Sequence, residues 1–354
     1  MKLIAKKILV MRYRFIGDTV LTVPFLRNLR EAYPAARIDL MIEPFSGQVL
    51  EGCPYVDRVI PFEFRTIHTY SSRSRRSKAA GMFHYWKLIK AEGYDAAFVL
   101  KRSLSSALLV LAAGVPRRIG FDTEGRGLLL TDPVRYRHDQ HEVENFLDCL
   151  RAVDVPIRST SLELWPSPEN EKKIRTLLSD AGWRADQLKI VVHAAASLPA
   201  KQWPLERFAE VMKKLKEKHH ARFVYTGSSE DAVLYQEIEK RGPFGGLNLC
   251  GITSVYENIS LYRAADLFFG VDSGPMHVAA AVGVPVVALF GPTDERKWRP
   301  WGEGHTIITR RLSCAPCKPH KCRDNECMRQ IGVDEALDAV EKKIKQILPK
   351  VHFH

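Results

Sequence analysis

The sequence lacks an apolar run long enough to cross a membrane. Its longest apolar stretches, 107–116 and 278–290, fall short of the ~18 residues that a membrane-spanning helix needs, and the second contains Gly283 and Pro285. The first residues contain neither a long apolar segment nor a cleavage site of the kind that directs secretion. We therefore expect the protein to stay in the cytoplasm.

Three common motifs are also missing. The sequence contains no G-x-G-x-x-G, no G-x4-G-K-[ST] loop and no G-x-S-x-G turn. These absences argue against a dinucleotide-dependent dehydrogenase, a P-loop NTPase and an α/β-hydrolase. What is present is the balance of a globular protein, with 45% hydrophobic and 27% charged residues in 354 positions, a length that predicts two domains.

Acidic residues are outnumbered by basic ones. Lysine and arginine total 53 against 41 aspartates and glutamates, which gives a formal net charge of +12. Such a surface favours anionic partners, namely nucleic acid, phosphorylated metabolites or acidic lipid. The stretch 65–78 concentrates this charge without any acid, although a merely solvated basic loop is the alternative interpretation. Its basic residues are Arg65, Arg73, Arg75, Arg76 and Lys78.

Cysteine is scarce except in one cluster. Of seven cysteines, Cys314, Cys317, Cys322 and Cys327 form the pattern C-x2-C-x4-C-x4-C. In a reducing cytoplasm this spacing favours a metal site over disulfides, but the two well-separated C-x2-C pairs of a zinc ribbon are absent. A structural zinc, reduced thiols packed in a loop and a disulfide formed on oxidation all remain open.

Short apolar strands alternate with amphipathic helices, and this alternation occurs twice. Such a pattern predicts a parallel sheet with helices on both faces. Between the two runs, the prolines of 154–168 predict an extended linker, because proline disfavours helix in the residue before it. The prediction is an α/β protein with two doubly wound, Rossmann-like domains facing one another across a cleft, and with ligands at the carboxyl ends of the strands.

The segment 270–281, G-V-D-S-G-P-M-H-V-A-A-A, has the pattern of a phosphate-binding turn. A buried strand ends at Asp272, and Ser273 with Gly274 opens a helix whose free amides attract a phosphate. Asp272 could accept hydrogen bonds from sugar hydroxyls, or it could simply cap the helix. We expect His277 to be a core or supporting histidine rather than a base.

Two further segments end a strand with residues suited to a nucleotide sugar. In 193–204, Lys201 stands before a helix and could neutralise the charge on a diphosphate leaving group, although an isolated lysine is usually a surface residue. In 225–231, Glu230 could bind a ribose diol or could be a favourable charge at a helix start.

The fourth segment, 12–18, follows the first strand and reads R-Y-R-F-I-G-D. A carboxylate at Asp18 could act as a general base on an acceptor hydroxyl. The alternative is a helix N-cap without a chemical role.

Together and in this order, the four segments resemble glycosyltransferase family 9, the ADP-heptose:lipopolysaccharide heptosyltransferases. The resemblance covers almost the whole chain and is most specific over 271–293. The shared motifs are R-x4-G-D at 12–18, K-x-W-P at 201–204, T-G-S-x-x-[DE] at 226–231, V-D-[ST]-G-P-M-H-x-A-A-A at 271–281 and A-L-F-G-P-T at 288–293.

The resemblance implies a GT-B fold and an inverting, metal-independent transfer of L-glycero-D-manno-heptose, with Asp18 as the catalytic base. Residues 1–165 would bind the acceptor, 166–332 would bind the nucleotide sugar, and the helix within 333–354 would cross back to the N-terminal domain. The donor-binding residues would be Lys201, Glu230, Asp272, Ser273, Gly274, Ser197, Thr226 and Gly227. The expected acceptor-binding residues are Arg12, Arg14, Arg73, Arg75 and Arg76.

The chain departs from the family at one place. Relatives often carry hydroxyls where this chain has Ala194, Ala195 and Ala196, so the phosphate contacts there must come from backbone amides or from Ser197. The four-cysteine segment resembles a feature of the second-heptose branch, and nothing in it is required for the chemistry. No cofactor is expected beyond the structural zinc that the cysteines leave open.

The implied partners are ADP-heptose and the inner core of lipopolysaccharide, as Kdo-lipid A or heptosyl-Kdo-lipid A. Because that acceptor is anionic and membrane-anchored, we expect a monomer attached peripherally to the inner face of the inner membrane, partly through charge. One alternative is a related transferase with a UDP- or GDP-sugar donor. The other is a non-enzymatic basic protein that binds nucleic acid, which would leave the four motifs unexplained; we expect no nucleic acid partner.

Overall fold

The computed structural model describes residues 3–12, 14–63, 75–314, 317, 322 and 324–351, with the backbone alone at 75–80 and 348–351. The chain divides into two units, Met1–Ser161 and Leu162–His354. The boundary predicted from the sequence, after residue 165, lies a few residues beyond Ser161. Both positions fall in the segment 155–167, which contains neither helix nor strand.

The first unit is built on one parallel sheet of six strands, in the order β3-β2-β1-β4-β5-β6. The central strands are apolar and buried, as a parallel strand covered on both faces must be. The strands are β1 (Lys7–Met11), β2 (Arg37–Ile42), β3 (Arg58–Pro61), β4 (Ala96–Val99), β5 (Arg117–Asp122) and β6 (Asp132–Arg135). The helices are α1 (Ile16–Val20), α2 (Val23–Ala32), α3 (Pro44–Gly47), α4 (Arg75–Glu92), α5 (Leu104–Ala112) and α6 (Glu142–Arg151).

The second unit repeats this plan, with a six-stranded parallel sheet in the order β12-β11-β10-β7-β8-β9. Its strands are β7 (Lys189–His193), β8 (Arg222–Tyr225), β9 (Leu247–Asn248), β10 (Leu267–Val271), β11 (Val286–Phe290) and β12 (Thr306–Thr309). Its helices are α7 (Pro168–Asp180), α8 (Leu205–His219), α9 (Ala232–Glu239), α10 (Val255–Arg263), α11 (Gly274–Ala281), α12 (Glu295–Trp298), α13 (Glu326–Arg329) and α14 (Val333–Val351).

Both sheets reverse their strand order at the centre. The chain builds outward from β1 to β3 and then restarts on the other side at β4, and the second unit does the same between β7 and β10. The loops after two such strands leave the sheet in opposite directions, which opens a crevice at their carboxyl ends where ligands bind in open α/β sheets. The predicted α/β fold with two Rossmann-like units is confirmed.

The helix after β1 differs from the prediction in a way that matters. The sequence predicts a turn at Gly17 and Asp18 before a helix over 19–33. In the structure both residues already lie in α1, the chain bends at 21–22, and α2 starts with Pro24 in its first turn. The Asp18 side chain is therefore held by helix geometry rather than by a loop.

Hydrogen bonds attach the linker to the first unit at one end and to the second unit at the other. In the first unit the Asn28 side chain accepts a hydrogen bond from the Arg158 amide at 2.6 Å and donates one to the Ser159 carbonyl at 2.7 Å. In the second unit the Tyr256 hydroxyl donates to the Trp165 carbonyl at 3.0 Å. The chain therefore passes from one unit to the other between these two sets of hydrogen bonds.

The last helix, α14, packs on α8 within the second unit. Val340 and Ile344 are completely buried there, and Lys218 pairs with Glu341 at 2.7 Å. Its expected crossing to the first domain, like the expected cleft between the domains, stays a prediction. Of the helices that the structure describes, none is both long and apolar enough to cross a membrane.

Candidate functional site

In the second unit, a lysine and an aspartate meet where the strand order reverses. Lys201 ends the short 3-10 turn Pro199–Lys201 after β7, and Asp272 directly follows β10. The Lys201 Nζ lies 2.6 Å from the Asp272 Oδ2, and both side chains are largely shielded from solvent. The sequence placed these residues 71 positions apart, and the sheet brings them together.

Asp272 does not cap the following helix. The N-cap of α11 is Ser273, whose own side chain makes no capping hydrogen bond, so the capping interpretation of Asp272 is wrong. The carboxylate is instead committed to Lys201. Both groups lie beside the amino end of α11, whose exposed amides carry a partial positive charge.

Two hydroxyls beside this pair lack a partner. Among the described residues, the buried Oγ of Ser273 and the buried Oγ1 of Thr293 make no hydrogen bond. They follow β10 and β11, which are neighbours in the sheet. A buried hydroxyl normally finds a partner, so these two are groups at one sheet edge whose hydrogen bonding a polar ligand could complete. Ser273 was predicted as a donor contact, whereas Thr293 was matched only as part of a motif.

His277 is buried inside α11, where burial and, to a smaller extent, the Lys201 charge lower its pKa to about 3. The imidazole is therefore neutral at physiological pH. This agrees with the expectation that His277 is a core histidine.

The loop after β8 contains three of the predicted donor residues. The Thr226 Oγ1 is 2.8 Å from the Tyr262 hydroxyl and is buried, so it holds the loop in place. A Cβ on Gly227 would lie 2.7 Å from the Asp231 carboxylate, which leaves no room for a side chain. Glu230 is exposed in the turn before α9, and its pKa is lowered by hydrogen bonds from the backbone and nearby serines.

The loop after β7 offers fewer free donors than expected. The Ala194 amide already donates to the Tyr235 hydroxyl at 3.2 Å, so it is not available to a phosphate. Ser197 is exposed in the bend that follows. The structure places Ser197 and Glu230 on loops from neighbouring strands, and their contacts with a donor stay predictions.

In the first unit, an ion pair again marks the reversal of strand order. Asp18 on α1 pairs with the Arg12 guanidinium that follows β1, and both side chains are buried. The N-cap of α1 is Phe15, so the interpretation of Asp18 as an N-cap is wrong. The pKa of Asp18 is raised to about 6, mainly because the carboxyl is buried; the Arg12 charge opposes the rise and the Glu142 carboxylate contributes to it. Such a carboxylate is a competent base near neutral pH.

Two cations that sequence reasoning missed lie on the neighbouring strand end. Lys101 and Arg102 follow β4, which pairs with β1. Burial, together with the charges of Arg12 and Arg14, lowers the pKa of Lys101 to about 8. Arg102 also acts electrostatically on Asp18. A basic dipeptide directly after a buried strand was the signal that could have revealed them.

A second carboxylate stands behind this cluster. The Glu142 Oε2 accepts a 2.7 Å hydrogen bond from the Tyr136 hydroxyl, and the Arg102 guanidinium lies 4.2 Å from the centroid of the Tyr136 ring. Arg12 itself lies 5.2 Å from the centroid of Phe146. Two rings and a carboxylate thus orient the cations around Asp18.

The predicted acceptor arginines are described unevenly. Arg12 is buried against Asp18, and Arg14 is half-buried with its guanidinium 5.0 Å from the centroid of the exposed Phe15 ring. Phe15 has a φ of 69°, a strained value for a residue with a side chain. Arg73 lies outside the described residues, as do the side chains of Arg75 and Arg76.

The four-cysteine segment packs beside the loop after β11. The Cys317 amide donates to the Pro292 carbonyl at 3.0 Å, and a Cβ on Gly291 would lie 3.3 Å from the Cys327 sulfur. Burial raises the pKa of both thiols, and the neighbouring cysteines add to the rise. Within the described ranges no three His, Cys, Asp or Glu side chains are arranged to hold a metal ion. A structural zinc at Cys314, Cys317, Cys322 and Cys327 stays a prediction.

Comparison with known proteins gives consistent matches. Residues 82–328 match the family described as "Glycosyltransferase family 9 (heptosyltransferase)". Lipopolysaccharide heptosyltransferase 2 of Escherichia coli (strain K12) is 30% identical over 81% of this chain and 83% of that protein. Lipopolysaccharide heptosyltransferase 3 of the same strain is 26% identical over 95% of this chain and 97% of its own length.

A solved structure extends the match to the fold. The structure of E. coli ADP-heptose lps heptosyltransferase II superposes with a TM-score of 0.77 at 24% sequence identity, covering 96% of this chain and 99% of that chain. At this identity the likeness shows a shared GT-B fold, and function must be argued from the site.

Proposed function

This chain belongs to glycosyltransferase family 9 and is a glycosyltransferase, and from that premise we propose that it transfers a heptose from ADP-heptose to the inner core of lipopolysaccharide. The observation that carries the proposal is the Asp18 carboxylate, with a pKa of about 6, buried beside Arg12 at the strand reversal of the first unit. The names of the relatives supply the donor and acceptor classes.

The second unit supplies groups for the donor. The Lys201 ammonium and the amides that open α11 are placed to stabilise negative charge on a departing diphosphate. Asp272 can accept hydrogen bonds from sugar hydroxyls, and the hydroxyls of Ser273 and Thr293 can donate to phosphate oxygens. Glu230 is the proposed partner of the ribose diol.

The first unit supplies the base. Asp18 accepts the proton of an acceptor hydroxyl while the oxygen of that hydroxyl forms a bond to the anomeric carbon of the heptose. The bond between that carbon and the diphosphate oxygen breaks on the opposite face, and ADP departs with the electron pair. A single displacement of this kind inverts the anomeric configuration, and it asks for no metal ion.

The cations around Asp18 fit an anionic acceptor. Four cations stand near the two carboxylates of Asp18 and Glu142, which leaves an excess of positive charge at this edge of the sheet; the cations are Arg12, Arg14, Lys101 and Arg102. The inner core of lipopolysaccharide carries carboxylates and phosphates. We propose that these residues hold it at the inner face of the inner membrane, where the enzyme works as a peripheral monomer.

The test is release of ADP from ADP-heptose with each acceptor in turn. Purified protein is mixed with Kdo-lipid A or with heptosyl-Kdo-lipid A, and release that depends on one of them identifies the step. Thermal shifts with ADP, UDP and GDP compare the three bases. Absence of acceptor-dependent release together with no stabilisation by ADP would overturn the proposed donor.

A further inference from the structure

One side of α5 in the first unit is apolar and exposed. The helix sequence LSSALLVLA contains no charged residue. Leu104, Leu108 and Leu111, spaced to lie along one side, are 53%, 45% and 39% exposed, while Leu109 and Val110 on the other side are buried. A helix that only covers the core carries polar residues on its outer side, so among the described residues this outer side lacks a partner.

Aromatic residues of α4 extend this surface. The Trp86 Nε1 donates to the Ala112 carbonyl at the end of α5 at 2.9 Å, which fixes the indole against α5. Phe83, 53% exposed, stacks on Trp86 with ring centroids 5.1 Å apart. The 3-10 turn Arg126–Leu129 also packs on α5 and carries Leu128, which is 93% exposed.

Two lysines accompany the aromatic rings. The Lys87 Nζ lies 4.7 Å from the centroid of Phe83, and the Lys90 Nζ lies 5.1 Å from that of Trp86. Neither ammonium forms an ion pair within the described part of the chain. Glu124 and Asp132, the acids nearest to Leu128 in sequence, are paired with Arg126 at 3.1 Å and with Arg117 at 2.6 Å. The surface therefore combines leucines, aromatic rings and uncompensated positive charge.

We propose that this surface, which we define as the α4–α5 face (Phe83, Trp86, Leu104, Leu108 and Leu111 with Lys87 and Lys90), docks on an anionic lipid bilayer. Apolar and aromatic side chains enter the headgroup region, while lysines remain at its level beside anionic headgroups. A second copy of the chain is a poorer occupant, because a symmetric contact would bring the same lysines together. The inference rests on the proposed function in one respect, that the acceptor is membrane-anchored.

The experiment measures sedimentation of the full-length protein with vesicles. Vesicles of phosphatidylcholine mixed with phosphatidylglycerol are compared with vesicles of phosphatidylcholine alone. We expect binding to the anionic vesicles that weakens as salt is raised. Replacing both lysines (Lys87→Gln with Lys90→Gln) should weaken it by roughly fivefold for each lysine at low salt.

The apolar contribution is tested separately. Combining Phe83→Ser, Leu108→Ser and Leu111→Ser should weaken vesicle binding at least tenfold, because these side chains would no longer leave water. The matched control combines Phe45→Ser and Val233→Ser, which are also exposed, at 56% and 57%, but lie elsewhere. Lys213→Gln, which removes an exposed lysine of α8 in the second unit, is the control for the lysine variants. Equal binding by the apolar variant and its control would overturn the proposal.

Two further readouts separate this inference from neighbouring ideas. If size-exclusion chromatography shows a dimer that the apolar variant abolishes while vesicle binding is unchanged, a second copy covers the face and the proposal is wrong.

ADP release by the apolar variant is then measured with two acceptors, one lacking its lipid and one embedded in vesicles. The variant should lose activity on the embedded acceptor alone. Vesicle binding without transfer to either acceptor would contradict the proposed function but still support membrane docking by the α4–α5 face.

Discussion

Asp18 and Lys201 occupy corresponding places, because each lies in the first helical segment after the first strand of its own sheet, Asp18 in α1 and Lys201 in a 3-10 turn. Across the reversal of strand order, Asp18 faces the cations Lys101 and Arg102 after β4, whereas Lys201 faces the carboxylate of Asp272 after β10. The two units thus share a topology and exchange the positions of acid and base. The fold provides the crevice at each reversal, and the residues at its rim decide which charges it presents.

The two places also differ in the state of their buried polar groups. Asp18 is buried deeply enough that its pKa rises to about 6 in spite of Arg12. In the second unit, the buried hydroxyls of Ser273 and Thr293 have no partner among the described residues. A binding site needs donors that a ligand can satisfy, while a base needs a raised pKa.

The largest effect is expected from removing the base. Asp18→Asn keeps the size and burial of the side chain but cannot accept a proton, so ADP release should fall by about 10²- to 10⁴-fold. Stabilisation by ADP in a thermal shift should persist, because the donor groups lie in the second unit. Asp139→Asn, an exposed residue of the first unit, is the control. Near-normal turnover in Asp18→Asn would refute the assignment.

Lys201→Gln tests the other side of the comparison. Loss of one preorganised charge should lower the turnover number by about 10²-fold and should also weaken stabilisation by ADP. A joint loss of turnover and of stabilisation by ADP would distinguish Lys201 from Asp18, because replacing Asp18 should lower turnover alone. A Lys201→Gln protein with normal ADP stabilisation and turnover would show that the pair with Asp272 is only structural.

The pH dependence follows from the raised pKa. A base must be deprotonated, so turnover should fall about tenfold per pH unit below about pH 6 and level off above it. Because the Arg12 charge lowers the pKa of Asp18, Arg12→Gln should move this acidic limb to higher pH. Initial rates from pH 4.5 to 8.5 in both proteins provide the measurement, and an unmoved limb would mean that another group titrates.

Replacing Gly270 in β10 by alanine should lower the stability of the fold. A Cβ there would lie 2.5 Å from the His193 carbonyl of the neighbouring strand, and backbone cannot move aside easily. Gly270→Ala should therefore cost about 1–3 kcal/mol of unfolding free energy. Urea unfolding followed by circular dichroism measures it, and an unchanged midpoint would contradict the tight packing of this strand.

The smallest effect is expected in the first unit. Gly81 lies inside α4, with nothing within 4 Å of the position its Cβ would take. Gly81→Ala should raise the free energy of unfolding by about 0.5–1 kcal/mol, because alanine loses less conformational freedom than glycine in a helix. The same urea titration checks the sign. A loss of stability would show that the glycine is needed there.

Much of this arrangement could be predicted from the residues. The motifs at 12–18, 201–204 and 271–281 each stand at the end of an apolar strand, and parallel strands place such ends at one edge of a sheet. Lys101 and Arg102 belong to no such motif, and the basic dipeptide they form after β4 does not by itself show which charges they meet. Their importance comes from the pairing of β4 with β1, a contact distant in sequence.

The alternatives left open at Asp18 and Asp272 were also decided by the fold. Capping depends on which residue is the last one outside the helix, and sequence patterns place that boundary only to within a few residues. The structure puts Phe15 and Ser273 at those positions, which frees both carboxylates for ion pairs.

The sequence by itself determined the two α/β units and the family, because apolar periodicity and short motifs are local properties of the chain. Tertiary structure alone decided which charges meet. Lys201 reaches Asp272 across 71 residues only because β7 and β10 are adjacent. The raised pKa of Asp18 likewise depends on burial and on neighbours from α6 and the loop after β4. Electrostatic energies depend on distance and solvent exposure, and neither is a property of sequence order.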